Sequence, residues 1–212
     1  MADWFRHSTW ESHDREDFAR RLARAPAANR AQYLRIQGVH LAEAGLHEPA
    51  IGILRRVVDD YPQSLDVAPA LSELSRCLLA TGAVTESLDV LRRCIRREQE
   101  FPNVRTDAWL DFAFTVARLR VSQFYTEAAA SLDQGALREG RTPLFPVQRF
   151  KLHAARAMLM VACGEPGADA EAKRALDAAA LETSGLGYHS GLGLVDDRYA
   201  DVQERLRGIV GS

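Results

Sequence analysis

The chain has 212 residues, 47% hydrophobic and 26% charged, a balance that fits a soluble globular protein of one domain or two tight ones. That length buries a core without disulfides or metals, which excludes disorder as the main state. The formal charge of −2 supplies no overall field for nucleic acid or an anionic membrane. No apolar run of about 18 residues occurs. The opening MADWFRHSTWESHDRED is too polar for a secretion signal, so a cytoplasmic protein with no membrane or nucleic-acid partner is expected. Cys77, Cys94 and Cys163 are far apart and lie in or beside apolar stretches, which predicts small buried hydrophobes. Among the 27 basic residues only Lys151 and Lys173 are lysine, so the placement of the 25 arginines carries any carboxylate recognition.

Apolar residues recur at three and four spacing nearly throughout, and no long alternation occurs, so the reading is all-α. A first helix runs from about Asp14, its expected cap, to Ala25, with Phe18 and Leu22 on one face. A second spans about Ala27 to Ala44 and stops at Gly45. A third starts near Pro49 and carries Ala50, Leu54, Val57, Val58 and Tyr61. Asp66 is positioned to cap a helix with Leu71, Leu74 and Leu78, ending at Gly82; its partner carries Leu88, Leu91 and Ile95. A third pair uses Trp109, Phe112, Val116 and Leu119, then Phe124, Ala128 and Leu132. Gly135, Gly140 and Pro143 predict a break. A fourth pair uses Val147, Phe150, Ala154, Ala157 and Val161, then Ala172, Leu176 and Ala179. After TSGLGYHSGLGLV comes a last helix with Tyr199, Val202, Leu206 and Ile209.

The first hairpin resembles a tetratricopeptide repeat, a 34-residue helix–turn–helix unit. With Ala31 as its first position, the small residues of the pattern fall on Gly38 and Ala50. Its turn glycine falls on Gly45, its large apolar site on Leu54 and its closing proline on Pro62. Gly82 aligns with Gly45 in the second hairpin, the turn glycine is missing from the third, and in the fourth GEPGADAEAKRAL keeps the glycine, Gly164, and then inserts residues before Ala172. Phrases such as DWFRHSTW and ETSGLGYH are also similar to those of small bacterial proteins with such repeats. The resemblance implies a short α-solenoid of about four hairpins over 30–182. Residues 1–29 would form an aromatic segment and capping helix, and 183–212 a glycine-rich connector and a second capping helix.

Proteins of that family bind peptides or proteins along the first helix of each hairpin. The matching positions here are Gln32, Arg35, Val39 and Ala42, then Pro69, Ser72, Arg76 and Leu79, with Lys151 and Arg156 as candidates in the fourth hairpin. Arg35 and Arg76 make this face mildly basic, which suits an acidic peptide. In FPNVRTDAWLDF, Thr106 or Asp107 caps a helix and Trp109 fills the core. Alternatively Asn103, Arg105 and Trp109 meet a partner. Arg149 and His153, four apart, share a helix face. Tyr188 and His189 among glycines suggest docking, either onto the protein's own groove or onto a ligand. Trp4 and Trp10 either plug an end of the array or form an exposed aromatic anchor. No phosphate loop, zinc-ligand set or hydrolase motif occurs, so no cofactor and no catalysis are expected. Two other readings stay open: a ligand or enzyme pocket gathering Arg105, Arg149, His153, Tyr188 and His189, and an inhibitor of the toxin-antidote kind.

Overall fold

The computed structural model describes residues 4–139, 145–186 and 188–211, and the side chains of 136–139 are outside the description. Among the described residues there are ten α-helices, two single-turn 3-10 segments and no strand. The helices are α1 (Ser12–Arg24), α2 (Ala27–Glu43), α3 (His47–Asp60), α4 (Val67–Ala80) and α5 (Val84–Glu100). They continue with α6 (Ala108–Leu119), α7 (Tyr125–Glu139), α8 (Pro146–Cys163), α9 (Ala168–Ala179) and α10 (Ala200–Val210). The chain divides into two compact units, residues 1–108 and 109–212, a division that falls inside the region read as repeats.

The turns closing α2, α4, α6 and α8 share one device. A residue with positive φ follows the helix, and the next amide reaches back to the carbonyl five residues earlier. Those amides are Leu46 to Leu41 (2.8 Å), Ala83 to Leu78 (2.8 Å), Val121 to Val116 (3.0 Å) and Glu165 to Met160 (2.9 Å). Gly45, Gly82 and Gly164 hold the left-handed position in three of them. In the third hairpin Arg120 holds it, at φ 57°. The missing glycine therefore left the turn geometry unchanged, at the cost of a side chain in a conformation that L-residues avoid.

In the first unit α2 packs on α3, α3 on α4 and α4 on α5, and α2 also touches α4. The core comes from Leu34 and Leu41, Ala50, Leu54 and Val57, Leu71 and Leu78, and Leu88 and Leu91. A Cβ at Gly38 would lie 2.7 Å from the Leu54 side chain, so the two helices cross there because nothing larger fits. In the second unit α7 packs on α8, α8 on α9, and α10 on both α9 and α8. Its core includes Phe112, Leu132, Phe150, Met158, Ala175 and Leu206.

Several local expectations change. Asp14 is the third helical residue of α1, and its carboxylate accepts the Glu11 amide (3.0 Å) from inside the first turn. Asp66 stands at the N-cap of α4 but makes no side-chain cap bond; its carboxylate turns to Arg35 and to the Ser64 hydroxyl. Gly135 lies within α7, where a Cβ would overlap the Trp109 ring, so it serves close packing. Gly140 and Pro143 lie outside the described residues. Leu119 and Val161 are exposed at helix C-terminal ends, and Cys163 is exposed where Cys77 and Cys94 are buried.

Candidate functional site

The α2–α4 face of the first unit is part apolar and part charged. Gln32 is exposed, Val39, Ala42 and Pro69 are half-buried, and Ser72 is buried. Leu79 is exposed. Arg35 is not a free cation, because its Nε donates to Asp66 Oδ1 at 2.7 Å in a largely covered pair. Arg76 keeps 60% of its side chain in solvent and pairs with Glu73 on its own helix. The face expected to be mildly basic thus carries two paired arginines, one tied to the start of α4 and one largely exposed.

Residues 4–11 are fastened to the same unit. The Trp4 ring lies 5.6 Å from Phe18 and 5.0 Å from Tyr33, and Trp10 lies 5.6 Å from Phe18. Buried Gln37 accepts the His7 amide (3.0 Å) and donates to the His7 carbonyl (2.8 Å). Buried Asp14 accepts from the Thr9 hydroxyl at 2.8 Å and stands 3.0 Å from the His13 imidazole and 3.6 Å from that of His7. The Thr9 hydrogen bond, with the Glu11 amide and the two imidazoles, holds the Asp14 carboxyl below its ordinary value against the effect of burial. Trp4 and Trp10 therefore turn part of their ring surface onto their own unit.

The turn before α6 is built by buried Glu98. One of its oxygens accepts both the Thr106 amide and the Thr106 hydroxyl at 2.6 Å, and that hydroxyl accepts the Ala108 amide at 3.1 Å. The Thr106 hydroxyl thus satisfies the first amide of α6. Asn103 and Arg105 are exposed on the turn, with Arg105 Nε donating weakly to the Pro102 carbonyl (3.4 Å). Trp109 is buried in the second unit, so its ring is a core element and does not face a partner.

In the second unit, Lys151 Nζ donates to Asp111 Oδ1 at 2.7 Å and lies 5.9 Å from the centroids of both Phe114 and Tyr199. Burial works against its ammonium, but Asp111 and Tyr199 outweigh that and hold its pKa above the ordinary lysine value. The Tyr199 ring packs 5.7 Å from Phe114 and 5.4 Å from Phe150, while Arg118 grips Asp201 with two nitrogens at 3.0 and 2.8 Å. His153 Nδ1 is 2.7 Å from Glu171, which also holds Arg174. Arg156 stands 3.5 Å from Asp133. Arg149 Nε is buried without a hydrogen-bond partner. Sequence reading named Lys151 as a groove candidate but missed Asp111, Arg118 and Tyr199 as its company. The scarcity of lysine was the available signal, because Lys151 stands where arginine is used nearly everywhere else.

Tyr188 is 100% exposed and His189 is exposed beside it, so their own unit does not cover either ring. Nor does Tyr188 line a closed pocket with Arg149 and His153. Among the described residues no three His, Cys, Asp or Glu side chains gather so as to hold a metal ion, and no helix is long and apolar enough to cross a membrane. Compared with family models, curated proteins and solved structures, the chain gives no match.

Proposed function

We propose that the chain is a tetratricopeptide-like helical-repeat protein without chemistry of its own, which binds a peptide or protein partner along α2 and α4. The observation that carries the reading is that α2 packs against α4 as well as against α3. In such repeats the first helices of successive hairpins lie side by side and form the binding face. The Gly38–Leu54 crossing and the full burial of Ala50 support the register, since these are the positions where the repeat pattern calls for small and large residues.

Physical chemistry refines the partner. Arg35 and Arg76 are each paired, with Asp66 and Glu73, but Arg76 is much the more exposed of the two and so is the cation on this face that a ligand carboxylate can reach. Val39, Pro69 and Leu79 supply apolar contact, which favours a peptide with apolar residues beside a single carboxylate over a strongly acidic one. A photocrosslinking side chain at Arg76, compared with one at exposed Arg56 on α3, tests the face directly. The partner should be captured from position 76 and not from position 56. Equal capture at both positions, or none at 76, would sink the reading.

A further inference from the structure

The segment from Thr183 to Val195 contains no Asp, Glu, Lys or Arg, in a chain where those residues are 26% of the total. Around it three large apolar side chains face water: Leu181 at 40%, Tyr188 at 100% and Leu192 at 54% exposure. A soluble protein covers such groups where it can, so their concentration in one short segment marks an interaction surface. Charge depletion with an aromatic at the centre is the composition of an interface core.

The segment is also braced. The Ser184 amide donates to the Ser190 carbonyl at 2.7 Å, and the buried Ser184 hydroxyl donates to the His189 carbonyl at 2.8 Å. At its foot the Val147 amide of α8 donates to the Gly193 carbonyl at 2.8 Å. Gly193 has φ 71° and presses on Phe145 so closely that a Cβ would lie 2.7 Å from that ring. Closing the neck and fixing the foot before binding reduces the ordering cost of docking.

We propose that this loop is a docking element which inserts Tyr188 into an apolar, basic-rimmed cleft of a partner protein. The sign of the rim follows from the flanks. Exposed Glu182 stands on one side and Asp197 on the other, while Asp196 is answered by Arg198. The same acidic flanks disfavour an anionic lipid surface. The surface lies in the second unit and does not depend on the α2–α4 face.

The test places p-benzoylphenylalanine at Leu192 in the full chain, in the cells that naturally make it, with the same probe at Val161 on α8 as the control. The expected result is one protein captured at 192 and not at 161, through an apolar peptide flanked by Lys or Arg. Adding Tyr188→Asp should cut that capture about tenfold or more while leaving the melting temperature unchanged, since Tyr188 touches nothing that folding needs. Capture of a second copy of the chain would overturn the proposal. So would capture insensitive to Tyr188→Asp, no capture at 192, or Tyr188-dependent sedimentation with phosphatidylcholine–phosphatidylglycerol vesicles.

Discussion

Arg120 and Cys163 are two residues whose surroundings contradict their type. Arg120 occupies a left-handed turn position that glycine fills in three equivalent turns, and its charge disfavours the partly buried Arg205 guanidinium. Left-handed strain of about 1–2 kcal/mol is opposed by the entropy a glycine adds to the unfolded chain, about 0.5–1 kcal/mol. Arg120→Gly should therefore stabilise the protein by about 0.5–1 kcal/mol, read as a raised urea midpoint with unchanged slope; a lowered midpoint would show that the arginine is held by something stronger. Cys163 is exposed, whereas Cys94 is buried and hydrogen-bonded to the Ala68 carbonyl at 3.2 Å. Burial, helped by Glu73, pushes the Cys77 thiol up to about 11. One thiol of three should react with a disulfide reagent in the native protein, and all three should react in urea. Native reaction of two or three would mean that the helices open far more readily than their packing implies.

At the scale of elements, most of the architecture was legible because its causes are local. Apolar stripes at three and four spacing marked each of the ten helices of the described residues, although α7 runs on through the break expected at Gly135, and Gly45, Gly82 and Gly164 marked turns that their positive φ requires. What was not legible came from partners distant in the chain. Nothing around Asp66 reveals that Arg35, 31 residues earlier, will draw its carboxylate away from capping. Gly135 reads as a breaker until the Trp109 ring is seen to need its missing side chain. Likewise, Lys151 gains its meaning only from Asp111, 40 residues before it. At the candidate face the sequence displays Arg35 and Arg76 but not their partners Asp66 and Glu73, which leads to a discriminating pair of variants. Arg35→Glu sets two carboxylates against each other between α2 and α4 and should cost about 1–2 kcal/mol. Arg76→Glu removes an exposed pair within one helix and should change stability by less than about 0.5 kcal/mol. Matched melting temperatures for the two would mean that the Arg35–Asp66 pair does not hold the helices together.

At the scale of the molecule, each unit carries its own core. In the second unit the Trp109 ring rests on α7 at Gly135, and the Ser131 hydroxyl of α7 donates to the Trp109 carbonyl at 3.1 Å. Phe150 and Tyr199 pack on each other, and Arg118 and Arg205 each reach a carbonyl outside their own helix, those of Arg198 and Ala117. These links join α6, α7, α8 and α10 without any residue of the first unit. A little over 100 residues is enough to bury such a core unaided. A fragment of residues 103–212, which keeps the Thr106 hydroxyl bond to the Ala108 amide, should therefore fold alone. Its ellipticity should be helical, its melt cooperative, and the emission of Trp109, then the sole tryptophan, blue-shifted by burial. The wavelength is the decisive readout, because a molten helical fragment would keep the ellipticity while exposing the ring. Emission at the position of free tryptophan would show that the core of this unit does not close by itself.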